Sequence, residues 1–194
     1  MARHGETEWS LAGRHTGRTD IDLTPRGEED ARRLGERLQE LTLAAIFTSP
    51  SKRAVRTCAL AGFANRAVPD PDLAEWDYGK YEGLRSAEIR IERPSWELFH
   101  DGCPGGESPS DIGARADRIV AKVRAIQGDV LLVSSAHFLR VLTARWLGLD
   151  PSAGQYFVAS PAGLGCLGYE HDISEPAVRL WNDTVHLADP ARPS

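Results

Sequence analysis

Three short stretches of this 194-residue chain carry residue types able to do chemistry, and they lie far apart in sequence. Arg3-His4-Gly5 sets a guanidinium beside an imidazole. A neutral imidazole is a good nucleophile near neutral pH, and a guanidinium holds phosphate oxygens in a fork, so the pair suits phosphoryl transfer. Gly5 would let the backbone approach a ligand closely. The stretch Thr48-Ser49-Pro50-Ser51-Lys52-Arg53-Ala54 places a second arginine at the start of a helix, where unpaired backbone N–H groups also favour an anion. Leu73 to Gly79 brings a carboxylate, Glu75, into a loop with Trp76 and Tyr78, where desolvation would suit it to donate a proton. Alone, each signal is weak: Arg-His-Gly arises by chance, and a loop carboxylate is ordinarily solvated.

Those stretches need a scaffold that brings them together. Thr24-Pro25 reads as N-cap and first helical position, followed by Ala31, Leu34, Leu38 and Leu41 at helical spacing. Ala44-Ala45-Ile46-Phe47 is a short apolar run stopped by Thr48-Ser49-Pro50, and Lys52 to Leu60 reads as a helix ending near Gly62. Pro69 to Gly83 is a long connection with its own aromatics, and long ordered loops are often functional. Ser86 to Phe99 predicts a helix interrupted at Pro94, and Ile112 to Ile126 a long helix ending at Gly128. Val130 to Val133 reads as a strand covered on both faces, followed by an apolar helix over Phe138 to Leu147. Two short strands are expected at Leu164–Tyr169 and Val178–Trp181.

Alternating strands and helices predict an α/β three-layer sandwich: a mostly parallel central sheet with helices on both faces, in one domain over residues 1–194. Ligands in such folds sit beyond the carboxyl ends of the strands. That edge is where Arg3 to Gly5, Ser49 to Arg53 and Ser134 to His137 would meet.

Composition narrows the classes. With 41% hydrophobic and 26% charged residues the chain is neither disordered nor a disulfide scaffold, and its three cysteines show no zinc spacing. A formal charge of −5 offers no basic footprint for nucleic acid. No signal-peptide core or membrane-length apolar run is seen, so a cytoplasmic protein without a membrane partner is expected, with a homodimer the commonest oligomer for such a chain.

Taken together, Arg3 to Thr7, Thr16 to Thr24, Ser49-Pro50 to Arg53, Glu75 to Gly83 and Asp101 to Ser108 resemble the histidine phosphatase (phosphoglycerate mutase-like) superfamily over nearly the whole chain. The last two strings resemble a branch of small bacterial phosphatases and the fungal sugar-bisphosphatase related to them. The resemblance implies a metal-independent phosphomonoesterase, with no cofactor, acting on a small phosphorylated metabolite and releasing inorganic phosphate. His4 would become a phosphohistidine, Arg3 and Arg53 would clamp the phosphoryl oxygens, and Glu75 would protonate the leaving oxygen and then activate water. Ser10, Thr16, Gly17 and Tyr78 match positions that face substrate.

The chain departs from the family pattern in two places. Where the family carries a second catalytic histidine before a glycine, this chain has Ser135 and Ala136; His137 lies two places on and reads as a packed residue. A serine donates one hydrogen bond but no charge, a loss of roughly 1.5–3 kcal/mol, or about ten- to a few-hundred-fold in rate. Turnover slowed by Ser135 is therefore the expectation. The alternatives are an impaired paralogue that binds phosphate esters, or a mutase-type phosphotransferase. In addition, only Met1-Ala2 precede Arg3, where the family has an apolar strand in mid-sheet, so that strand is expected to be missing or truncated.

Overall fold

The computed structural model describes residues 1–188. Along the chain run β1 (Ala2–Arg3), α1 (Glu8–Leu11), α2 (Pro25–Leu38), β2 (Leu43–Thr48), α3 (Lys52–Cys58), β3 (Ala67–Pro69), α4 (Ser86–Glu92), α5 (Leu98–Asp101), α6 (Pro109–Arg124), β4 (Asp129–Ser134), α7 (Ala136–Trp146), β5 (Leu164–Tyr169) and β6 (Pro176–Asp183). The strands form one sheet in the order β3-β2-β4-β1-β5-β6. Pairing is parallel from β3 through β1, and β5 runs antiparallel to both of its neighbours. The expected mostly parallel sheet is what the chain builds.

Local chemistry explains the long helices. Thr24 accepts a hydrogen bond from Gly27 N, Pro25 opens α2, and Ala31, Leu34 and Leu38 face inward at helical spacing. Ser108 caps α6 in the same way and shares a reciprocal capping box with Asp111, before Ile112, Ala116 and Ile119 are buried. Burying each Leu or Ile of this kind contributes about 1.5–3 kcal/mol.

Strand β4 shows why the sheet needs helices on both sides. Leu131 and Val133 pack with Leu34, Leu38 and Ala54 of α2 and α3, whereas Leu132 packs with Ile119, Phe138 and Leu142 of α6 and α7. Side chains alternate across a strand, so a continuous apolar run feeds two separate cores.

The structure corrects several element boundaries. Helix α2 stops at Leu38; Leu41, expected to extend its apolar stripe, lies past a turn and is 48% exposed. The interruption expected at Pro94 is present, separating α4 from α5, but the second helix begins only at Leu98 and runs past Phe99 to Asp101. Strand β3 and helix α1 were not anticipated. Mid-sheet, a strand is present but only two residues long: Ala2 and Arg3 pair with Val133 and Ser134, and Ala2 also pairs with Leu164. Among the described residues no helix is long and apolar enough to cross a membrane.

Candidate active site

The three segments meet at the carboxyl edge of the sheet. His4 N donates to Ser134 O at 2.9 Å, and Ser49 N donates to Val133 O at 2.8 Å, so the ends of β1, β2 and β4 are tied side by side. His4 is buried there. Its Nδ1 lies 2.7 Å from Gly5 O, and because a carbonyl only accepts, Nδ1 carries the proton and Nε2 keeps its lone pair. Burial, followed by the charges of Arg3 and Arg53, holds the His4 pKa well below 6.5. The imidazole is neutral at pH 7. Gly5 has a different role from the one expected: a Cβ there would come within 2.3 Å of Gly27 O, so its bareness admits helix α2 rather than a ligand.

Two arginines flank this imidazole. Arg53, on α3, is buried; Nη1 donates to Thr19 O at 3.0 Å, and Nη2 donates to Thr16 O at 2.9 Å and Gly17 O at 3.1 Å. Arg3 Nη1 donates to Ala159 O at 2.7 Å. Burial pushes the Arg3 pKa down, yet a guanidinium stays charged. Three atoms in this region are buried without any partner: Arg3 Nε, Arg53 Nε and Ser135 Oγ. Each such group costs about 1–3 kcal/mol unless something pairs with it. Two of the three can only donate, so an oxyanion is the chemical species that would satisfy them together.

Glu75 does more than the loop reading foresaw. Its Oε1 accepts from Trp76 N at 2.9 Å and Phe138 N at 2.8 Å, and its Oε2 accepts from His137 N at 3.0 Å. The carboxylate thus caps α7, a task that Ser135, at the N-cap position, leaves undone with its own side chain. A carboxylate offers about four lone-pair sites. With three engaged, the fourth, on Oε2, remains for a proton. Glu75 also lines a cleft of about 400 Å³ together with Gly17, Ser49 and Asp77.

The remaining expected residues divide. Gly17 lines the cleft, and a Cβ there would come within 2.5 Å of Trp76 O, so no larger residue fits. Thr16 contributes its carbonyl to Arg53, while its hydroxyl donates to Arg14 O at 3.1 Å. Ser10 is occupied in a reciprocal capping box with Thr7 at α1. Tyr78 is buried rather than in the cleft, with its hydroxyl 2.6 Å from His137 Nδ1. Burial raises the Tyr78 pKa well above 10 and lowers that of His137 well below 6.5, so the phenol donates to a neutral imidazole. His137 is packed between the rings of His15, Tyr78 and Phe99, as the sequence suggested. Ala136 is the first residue of α7 and half-buried.

Sequence reading missed one cation. Arg140 bonds Gly154 O and Gln155 O, and its charge acts on Arg3 and His137. Its position four residues after Ala136, on the same face of α7, is the signal that could have found it.

The sequence model of the histidine phosphatase superfamily (branch 1) matches residues 1–184. A protein of Mycobacterium tuberculosis named acid phosphatase is 42% identical over 182 residues, covering 92% of this chain and 89% of that protein. The sedoheptulose 1,7-bisphosphatase of Saccharomyces cerevisiae is 32% identical, covering 93% of this chain and 90% of that one. In solved structures, the Mycobacterium tuberculosis open reading frame Rv3214 superposes with a TM-score of 0.89 at 39% identity, covering 93% and 94% of the two chains.

Proposed function

Because the chain belongs to the histidine phosphatase superfamily and is a phosphoric monoester hydrolase, we propose that it cleaves a small phosphorylated metabolite through a phosphohistidine at His4, without a metal. One observation carries this reading: a buried neutral imidazole with its Nδ1 proton engaged by Gly5 O and its lone pair on Nε2, set beside two guanidiniums that each keep an unpaired Nε–H. Nε2 forms a bond to phosphorus as the ester P–O bond breaks, and the departing oxygen takes a proton from Glu75. Glu75 then takes a proton from water as the water oxygen attacks phosphorus, and the N–P bond breaks to free His4 and inorganic phosphate. Arg3 and Arg53 meet the charge that grows on the phosphoryl oxygens, the task magnesium performs in other phosphoryl-transfer enzymes. Ser135 Oγ adds one neutral hydrogen bond to the same group.

The three unpaired cysteines, Cys58, Cys103 and Cys166, suit a reducing compartment, in keeping with a cytoplasmic place of work. The test is rapid quenching of the chain with a labelled aryl phosphate in EDTA, followed by peptide mapping. Label is expected on His4, stable in base and lost in acid. Turnover that vanishes in EDTA, or label that persists in His4→Ala, would overturn the reading. The observation favouring an impaired, binding-only paralogue is Ser135, and saturable binding with no label and no released phosphate would decide for it.

A further inference from the structure

In the proposed reaction Glu75 meets the leaving oxygen, so the cleft that Glu75 lines is where the alcohol part of the ester lies. Its wall carries four carboxylates, Asp20, Glu75, Asp77 and Glu107, against two guanidiniums, Arg18 and Arg115. Neither guanidinium is idle. Arg115 has all five N–H donors engaged: Nε and Nη2 on the Glu107 carboxylate at 2.7 and 2.8 Å, Nη1 on the carbonyls of Asp72 and Ala74 at 2.8 Å each, and Nη2 again on Glu75 O at 3.2 Å. Arg18 is 82% exposed, and its Nη2 lies 2.6 Å from Asp77 Oδ2. Asp77 is itself fixed through Oδ1, which accepts from Gly79 N at 3.0 Å. Asp20 also lines the cleft, and among the described residues no arginine pairs with it; its Oδ1 accepts from Lys52 N at 3.0 Å.

A second phosphate or a carboxylate on the leaving group would therefore meet Asp20 and Asp77, with Arg115 fully engaged and Arg18 already paired with Asp77. Hydroxyl or ammonium groups would find acceptors. We propose that the cleft selects phosphomonoesters whose alcohol carries hydroxyl or ammonium donors and no second anion. This rests on the phosphatase reading only in taking Glu75's cleft as the leaving-group side.

Glycerol 3-phosphate and 3-phosphoglycerate test it, because they differ mainly in a CH₂OH against a carboxylate; O-phosphoethanolamine adds the cationic case. Both kcat/KM and equilibrium binding by calorimetry would be measured at low salt and in 0.5 M NaCl. We expect 3-phosphoglycerate to be at least about tenfold worse than the other two at low salt, with the gap shrinking in 0.5 M NaCl as the exposed charges are screened. In Asp20→Asn with Asp77→Asn, which removes two charges and frees Arg18, the gap should close to within about threefold. Equal or better handling of 3-phosphoglycerate by the unaltered chain overturns the proposal, as does a gap that the double variant leaves intact. Discrimination in binding without turnover of any ester, aryl phosphate included, would uphold the charge filter and sink the phosphatase reading alone.

Discussion

At the carboxyl edge of the sheet Arg3 Nε, Arg53 Nε and Ser135 Oγ are buried without partners around a neutral imidazole, whereas the groove at the amino edge, about 580 Å³, is walled by apolar side chains such as Leu38, Val130, Leu142 and Leu167. Arg124 at the amino edge also has an Nε without a hydrogen-bond partner, but its guanidinium lies 4.7 Å over the Trp146 ring and close to Tyr169. The sign of compensation separates the two. One edge leaves donors without a partner among the described residues, and the other covers its cation with its own aromatics. An orphaned donor is evidence for a ligand only where no internal contact makes up for it.

The sharpest way to break this contrast is at the carboxyl edge. His4→Ala should lower kcat at least about a thousandfold in a steady-state assay, since the nucleophile is gone and no other imidazole takes its place; a fall under tenfold would mean the orphaned donors serve something other than this chemistry. Glu75→Gln should lower kcat by about 10²–10⁴. The same change places an amide NH₂ against the N–H groups of α7, so chemical denaturation should show a loss of about 1–3 kcal/mol as well. Activity lost without stability would separate the acid from the cap.

Ser135→His with Ala136→Gly should raise kcat by about ten- to a few-hundred-fold, by adding a charge-assisted bond where Ser135 Oγ is unpartnered. An unchanged rate would show that the serine already suffices. The smallest effect belongs to the other edge, where the Met1 ammonium donates to Gly165 O at 2.9 Å and burial lowers its pKa from 8.0 to about 6. Between those values the folded chain holds fewer protons than the unfolded chain, so stability is fully present above pH 8 and declines as pH falls toward 6, by about 2 kcal/mol. Urea midpoints at pH 8 and pH 6.5 would show the slope, and N-terminal acetylation should flatten it.

What the sequence disclosed was whatever is written locally. The Thr24-Pro25 cap, the Val130 to Val133 run and the Arg-His-Gly tripeptide are each complete within a few residues, and all three lie where they were expected. Strand β3 is three residues of no clear periodicity and exists because β2 offers a free parallel edge. The union of Glu75 with the first turn of α7 spans about sixty residues, as does the Tyr78–His137 pair, and no spacing rule reaches that far. Leu41 misled for a related reason: helical spacing continues in the letters after the backbone has turned toward β2.

Arg53 gives the site a property beyond charge. With both terminal nitrogens fastened to the carbonyls of Thr16, Gly17 and Thr19, the side chain works as a strut under the stretch that borders the cleft. That stretch is already in place when a substrate arrives, so binding need not supply the entropy of ordering it. Inhibitors should then gain most from rigid scaffolds cut to the existing walls, and little from flexible arms meant to draw a loop closed.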